Sequence, residues 1–189
     1  MANQIRGKYH TVKVTPTCHV GSLAAGKIVF DGTEIPNACY PGGTSLLKQI
    51  RVFDRDDLAA DLDIILFSHK PTTEGLGETA ANFVFGTSDA TDAEFEAANP
   101  LAFINMDISE YTDTTVAGGT IIKNKADFTS SRTHYDSGNL DIFVNSNPTE
   151  SQIADGTGIP GSIFFYMVSN ATKTYTANSY TFEFVFEIY

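Results

Sequence analysis

The densest group of residues that could do chemistry is an acidic cluster in the first third of the chain. Its members are Asp54, Asp56, Asp57, Asp61 and Asp63. Several carboxylates close together could bind Ca²⁺, which takes six to eight oxygen ligands. The segment lacks the glycine and closing glutamate of an EF-hand loop, and Arg55 within it and Arg51 just before it can neutralise part of its charge. This favours a polar hairpin loop between strands at 46–53 and 62–67, and we predict no metal site.

The other reactive side chains form no recognisable catalytic pattern. The four histidines are scattered along the chain, at His10, His19, His69 and His134. The sequence has no Gly-x-Ser-x-Gly elbow, no Walker A loop and no His-Glu-x-x-His motif. Paired carboxylates could cleave a sugar bond, but the chain has no Trp to serve as a sugar platform. We therefore predict no enzyme, no catalytic residue and no cofactor, although a triad drawn from distant segments stays open.

The two cysteines do not form a disulfide scaffold by themselves. Cys18 and Cys39 are the only thiols, and His19 beside Cys18 has no second ligand pair downstream. Whether two thiols pair depends on geometry that the sequence does not show. We expect both to be reduced and at least partly buried.

Charge separates the start of the chain from the rest. The net charge is −11, and residues 1–30 hold four basic residues and no acid. An acidic chain is a poor ligand for nucleic acid, and Lys123, Lys125 and Arg132 are interpreted as part of a solvated loop. The basic start indicates either a segment that docks on an acidic partner or a strand paired within the same domain.

Period-two patterns predict an all-β protein. In the last segment Tyr180, Phe182, Phe184, Phe186 and Ile188 share one face, which indicates a half-buried strand. Further strands are predicted at 9–15, 27–30, 46–53, 61–68, 101–108, 115–123, 140–144 and 162–169, with long loops at 123–139 and 145–160. A capping box and acidic first turn predict one short helix at 91–98.

These elements predict one antiparallel jelly-roll-like β-sandwich over 21–189, preceded by an N-terminal arm or edge strand at 1–20. An immunoglobulin-like sandwich is the alternative. No run of about 18 apolar residues is present, so we expect no membrane span. The start of the chain lacks the apolar core of a signal peptide, and synthesis in a cytoplasm is expected.

Two segments carry a resemblance to a known group of proteins. Residues 27–38, Lys-Ile-Val-Phe-Asp-Gly-Thr-Glu-Ile-Pro-Asn-Ala, are followed at 41–54 by Pro-Gly-Gly-Thr-Ser-Leu-Leu-Lys-Gln-Ile-Arg-Val-Phe-Asp. With residues 63–67 and 174–177, they resemble head decoration (cement) proteins of tailed bacteriophages with HK97-type capsids. Such proteins are commonly trimers that clamp neighbouring capsid subunits at three-fold positions.

The resemblance implies a non-enzymatic clamp on the outer surface of a virion, with the major capsid protein as its partner. A homotrimer is expected. The acid-free start supplies the docking candidates Ile5, Arg6, Lys8, Tyr9 and Lys13. The alternative is a jelly-roll carbohydrate-binding or receptor-binding module of a virion.

Overall fold

Strands make up most of the structure. The computed structural model describes residues 8–56, 58, 60–70, 99–106, 112–116, 120–124 and 141–189. Within these ranges the strands are β1 (Lys8–Val14), β2 (Gly21–Leu23), β3 (Lys27–Ile35), β4 (Thr44–Asp54), β5 (Leu62–Phe67), β6 (Pro100–Met106), β7 (Thr112–Val116), β8 (Thr120–Asn124), β9 (Ile142–Asn145), β10 (Ile163–Ser169), β11 (Lys173–Tyr175) and β12 (Tyr180–Ile188). A helix, α1, covers Glu150–Ala154.

Eight of these strands form two four-stranded antiparallel sheets. The first sheet has the order β1-β12-β4-β9, and the second has the order β3-β10-β5-β6. Counted along the chain, the first of the eight pairs with the last, the second with the seventh, the third with the sixth and the fourth with the fifth. This nested pairing is that of a jelly roll. The predicted all-β sandwich is confirmed, and its order differs from that of an immunoglobulin domain.

Phenylalanines fill the space between the sheets. Phe182, Phe184 and Phe186 on β12 are fully buried, as their period-two spacing predicts. The ring of Phe165 on β10 meets Phe182 and Phe184 edge to face, with centroid distances of 5.0 Å to each. Such contacts add to the hydrophobic gain of burying each ring. The core therefore fixes which faces of β10 and β12 point outward.

Three sequence interpretations of strands and loops were wrong. β4 and β5 lie in different sheets, so the acidic segment between them is a crossover and not a hairpin loop. β3 continues beyond the strand predicted at 27–30, through Asp31 and Gly32 to Ile35, with a register irregularity opposite β10. The strand predicted at 115–123 is instead two paired strands, β7 and β8. Sheet membership depends on distant contacts that local patterns do not report.

The described helix is not the predicted one. Residues 91–98, where a helix was predicted, lie outside the described residues. α1 lies instead within the predicted long loop at 145–160. The Thr149 hydroxyl accepts a hydrogen bond from the Gln152 backbone N–H, and the Gln152 side chain accepts one from the Thr149 N–H. This capping box is readable in the sequence as Thr-x-x-Gln. No helix within the described ranges is long and apolar enough to cross a bilayer.

Candidate interaction surface

The docking candidates predicted at the start of the chain lie partly on β1. This strand is an edge of the first sheet and pairs with β12. Val12 is buried, so by strand alternation Tyr9 and Lys13 point away from the core. Lys8 is also exposed, at the first position of the strand. Ile5 and Arg6 lie outside the described residues. The structure therefore places two of the five candidates on one outward surface.

A three-residue charge cluster begins at Lys13. The Lys13 Nζ lies 3.8 Å from Glu183 Oε1 on β12, and it lies 5.6 Å from the centroid of the Phe53 ring on β4. Arg51 Nη1 donates to Glu183 Oε2 at 3.4 Å from the other side. One carboxylate therefore bridges two cations across three neighbouring strands, as register neighbours in a sheet permit.

A second charge cluster lies nearer the other end of the same face. Lys48 on β4 donates to the Asp141 carboxylate, and its Nζ lies 3.7 Å from Glu187 Oε2. The hydrogen bond to Asp141 raises the pKa of Lys48 above its ordinary value, with a further contribution from Glu187. Together the two clusters contain three cations and three carboxylates, whose formal charges cancel. These six described side chains therefore add no net charge to the face, in a chain that carries a net charge of −11.

Aromatic side chains share this face with the charges. Four residues, one on each strand of the first sheet, lie in register across it: Tyr9, Glu187, Leu46 and Phe143. Tyr9 is 64% exposed and Phe143 is 60% exposed, and Tyr189 just beyond β12 is 53% exposed. Partial desolvation is the main cause that raises the pKa of Tyr189, and a hydrogen bond with Glu187 raises it further. Strands stand about 4.8 Å apart, so the row from Tyr9 to Phe143 spans roughly 14 Å. We call the outward side of the first sheet, from Tyr9 to Phe143 and from Lys13 to Tyr189, the open face.

The acidic cluster noted in the sequence is used for hydrogen bonds within the fold. Asp56 Oδ2 accepts from Thr176 Oγ1 at 2.7 Å and from Ser179 Oγ at 2.6 Å. Burial opposes ionisation of Asp56, but these hydrogen bonds prevail and lower its pKa. Asp63 accepts from Asn105 and Asn170. Asp57 lies outside the described residues, and within those described no group of three potential ligands could hold a metal ion.

The cysteines are separate, buried thiols. Both Cys18 and Cys39 are free, and each is 3% exposed. Burial raises the pKa of Cys18 to about 11 and also raises that of Cys39. A thiol reacts as its thiolate, so neither is prepared for nucleophilic chemistry at neutral pH.

Sequence reasoning had missed most of the open face. It identified Tyr9 and Lys13, but Lys48, Phe143 and Tyr189 come from segments that only the sheet order brings together. The signal for Glu183 and Glu187 was present, because both occupy the outward positions of the period-two pattern in β12. No known protein family, curated protein or solved structure matches the chain.

Proposed function

We propose that this protein is a non-enzymatic virion protein that decorates the outside of a bacteriophage capsid and docks through the open face. The observation that carries the proposal is that this face combines cancelled charges with exposed aromatic rings. The major capsid protein is the partner, and the protein acts as a trimer made in the host cytoplasm. Jelly rolls occur in viral capsid proteins and also in lectins, so the fold by itself does not decide between these functions.

The charge distribution favours docking by this face. Burying an unpaired charge in an interface costs more free energy than burying a charge that is already paired with an opposite charge. The open face offers such pairs at Lys13, Glu183 and Arg51. The chain as a whole carries excess negative charge, which opposes contact with other acidic surfaces.

The exposed rings supply the anchors that such an interface needs. Aromatic residues are enriched among the side chains that dominate binding energy, and Tyr combines a large apolar area with a polar tip. Tyr9 and Phe143 lie at the two sides of the sheet, so a partner that contacts both covers the full width of the open face.

The resemblance to decoration proteins falls on the framework of the sandwich. The segments 27–38 and 41–54 contain β3 and β4, which belong to opposite sheets. A clamp of this kind stabilises a shell because it binds the assembled state in preference to separate subunits.

The test is to mix the purified protein with capsids that lack it and to image them by electron cryomicroscopy. We expect ordered density at three-fold positions, with the open face against the capsid. Light scattering of the free protein should give the mass of three chains. Capsids that remain bare at saturating protein would contradict the proposal.

A carbohydrate-binding or receptor-binding module is the second candidate. It is favoured by the exposed Tyr9 and Tyr189 beside the carboxylate of Glu187, because rings and carboxylates can contact a sugar. Glycan-array binding that is lost in Tyr9→Ala, together with bare capsids, would favour this function over capsid decoration.

A further inference from the structure

The edges of the two sheets differ in regularity. Within the described ranges the edge strands are β1 and β9 in the first sheet and β3 and β6 in the second. β9 has only four residues. The pairings of β3 and β6 with their neighbours contain register irregularities. β1 pairs with β12 in unbroken register over seven residues, from Lys8 opposite Ile188 to Val14 opposite Phe182. β1 therefore forms the longest regular edge in this part of the chain.

The side chains of β1 leave this edge accessible to a partner. Lys8, Tyr9, Thr11 and Lys13 are all exposed. The strand contains no proline, which is one of the usual ways to block an edge. Within the strand itself charge is the remaining protection, since β1 has two lysines and no acid. Lysines at an edge oppose pairing with another basic strand and attract an acidic one.

Lys13 can bind a second carboxylate. Its ion pair with Glu183 is 3.8 Å long, and its side chain remains 60% exposed. An ammonium group has three donors. A carboxylate on an added strand would therefore reach the Lys13 ammonium from the side opposite β12.

We propose that the edge of β1 binds an extended acidic segment of the partner protein, which adds to the first sheet as a fifth strand next to β1. The inference rests on the proposed function only in taking that partner to be the capsid protein. In strand addition, main-chain hydrogen bonds supply affinity and the alternate side chains supply specificity. Seven residues of β1 correspond to an added strand of roughly 23 Å. The lysines select for acidic residues opposite them.

The probe is a fluorescent nine-residue peptide in which pairs of glutamates alternate with pairs of threonines, compared with one that has lysine in place of glutamate. This pattern puts glutamate on both faces of the added strand, because Lys8 and Lys13 point to opposite faces of the sheet. Binding to the full chain is measured by anisotropy at low and high salt, and cross-strand contacts are mapped by NMR. We expect the glutamate peptide to bind at least tenfold more tightly than the lysine peptide. We also expect contacts between its amides and those of β1, and weaker binding at high salt. Equal binding of both peptides, no binding of either, or contacts at another edge would overturn the proposal.

Two pairs of substitutions separate the edge from general charge effects. Lys8→Glu with Lys13→Glu should weaken binding of the glutamate peptide at least tenfold, and the milder pair Lys8→Gln with Lys13→Gln should weaken it several-fold without disturbing the fold. Lys27→Glu with Lys173→Glu makes the same change in net charge on β3 and β11 and should alter affinity less than twofold. Equal losses in both sets, or pairing of β1 with a second copy of the chain, would overturn the inference.

Capsid binding by the same variants separates this inference from the proposed function. If the wild-type chain decorates capsids and the Lys8 and Lys13 variants do so equally well, the strand-addition proposal fails and the decoration function stands. If the peptide pairs with β1 but the wild-type chain leaves capsids bare, the edge site stands and the decoration function fails.

Discussion

The outward sides of the two sheets differ in composition and in exposure. On the second sheet, most outward residues of the two central strands, β5 and β10, are apolar and buried: Ile65, Phe67, Phe164, Tyr166 and Val168 are each less than 5% exposed, whereas Phe103 on the edge strand β6 is 56% exposed. On the first sheet, the open face carries paired charges and rings more than half exposed. The central strands of the second sheet therefore bury apolar residues on both sides, whereas the first sheet buries its inner side and leaves charged and aromatic side chains exposed on its outer side.

Matched truncations of phenylalanine should show this difference most strongly. Phe67 is fully buried on the second sheet, and its ring meets Tyr166 edge to face at 5.6 Å. Phe67→Ala should lower the free energy of unfolding by about 3–5 kcal/mol, because it removes buried surface and leaves a cavity. Phe143→Ala on the open face should change it by no more than about 0.5 kcal/mol. Urea denaturation measures both, and similar losses would contradict the comparison.

A close contact between β3 and β10 gives a second effect on the buried side. A Cβ at Gly32 would stand 2.4 Å from the Tyr166 hydroxyl oxygen and 2.6 Å from the ring carbon that bears it. Gly32→Ala should therefore destabilise the protein by about 1–3 kcal/mol through overpacking. In a Tyr166→Leu background the same substitution should cost less, since the clashing atoms are absent. Strict additivity in this double-mutant cycle would show that the contact is not the cause.

Alkaline pH should distinguish the two sides through their tyrosines. Burial, with a contribution from Asp31, raises the pKa of Tyr166 above its ordinary value of 10.0. The unfolded chain then loses this proton at lower pH than the folded one. The stability that results is complete below about pH 10 and is lost as the pH rises further. Tyr166→Phe should flatten this alkaline loss in stability measured between pH 9 and 11.

The control for that experiment is Tyr9→Phe, since Tyr9 is exposed on the open face. This substitution removes a tyrosine hydroxyl without changing a buried side chain. An equal flattening by both substitutions would mean that burial does not distinguish the two tyrosines.

The ion pairs of the open face should contribute least to stability. Glu183 lies between Lys13 and Arg51, whose side chains are 60% and 40% exposed. Exposed pairs are worth about 0–1 kcal/mol and are screened by salt. Glu183→Gln should therefore destabilise by about 0.5 kcal/mol at low salt and by less in 1 M NaCl. A large effect that salt does not reduce would mean that this face is part of the stabilising structure.

Local sequence patterns predict the faces of single strands well and the partners of strands poorly. The inward positions of β12 follow from its alternation, and Phe182, Phe184 and Phe186 are buried as expected. The unbroken apolar run at 64–67 in β5 is typical of a strand that is buried on both faces, and all four residues are buried. The sheet to which β5 belongs, and the contact between Lys48 and Asp141, depend on pairing between segments that are distant in sequence. The open face could therefore be recognised only in part before the strand order was known.

We propose that the open face, and not some other exposed aromatic surface, binds the partner. The chain offers a matched comparison: Tyr9 and Phe143 lie on the open face, whereas Tyr40 and Phe103 lie elsewhere and are 57% and 56% exposed. Capsid occupancy should be titrated with each double alanine variant. We expect at least tenfold weaker binding for Tyr9→Ala with Phe143→Ala, and wild-type binding for Tyr40→Ala with Phe103→Ala. Undiminished decoration by the first variant, or loss of binding in the second, would contradict it.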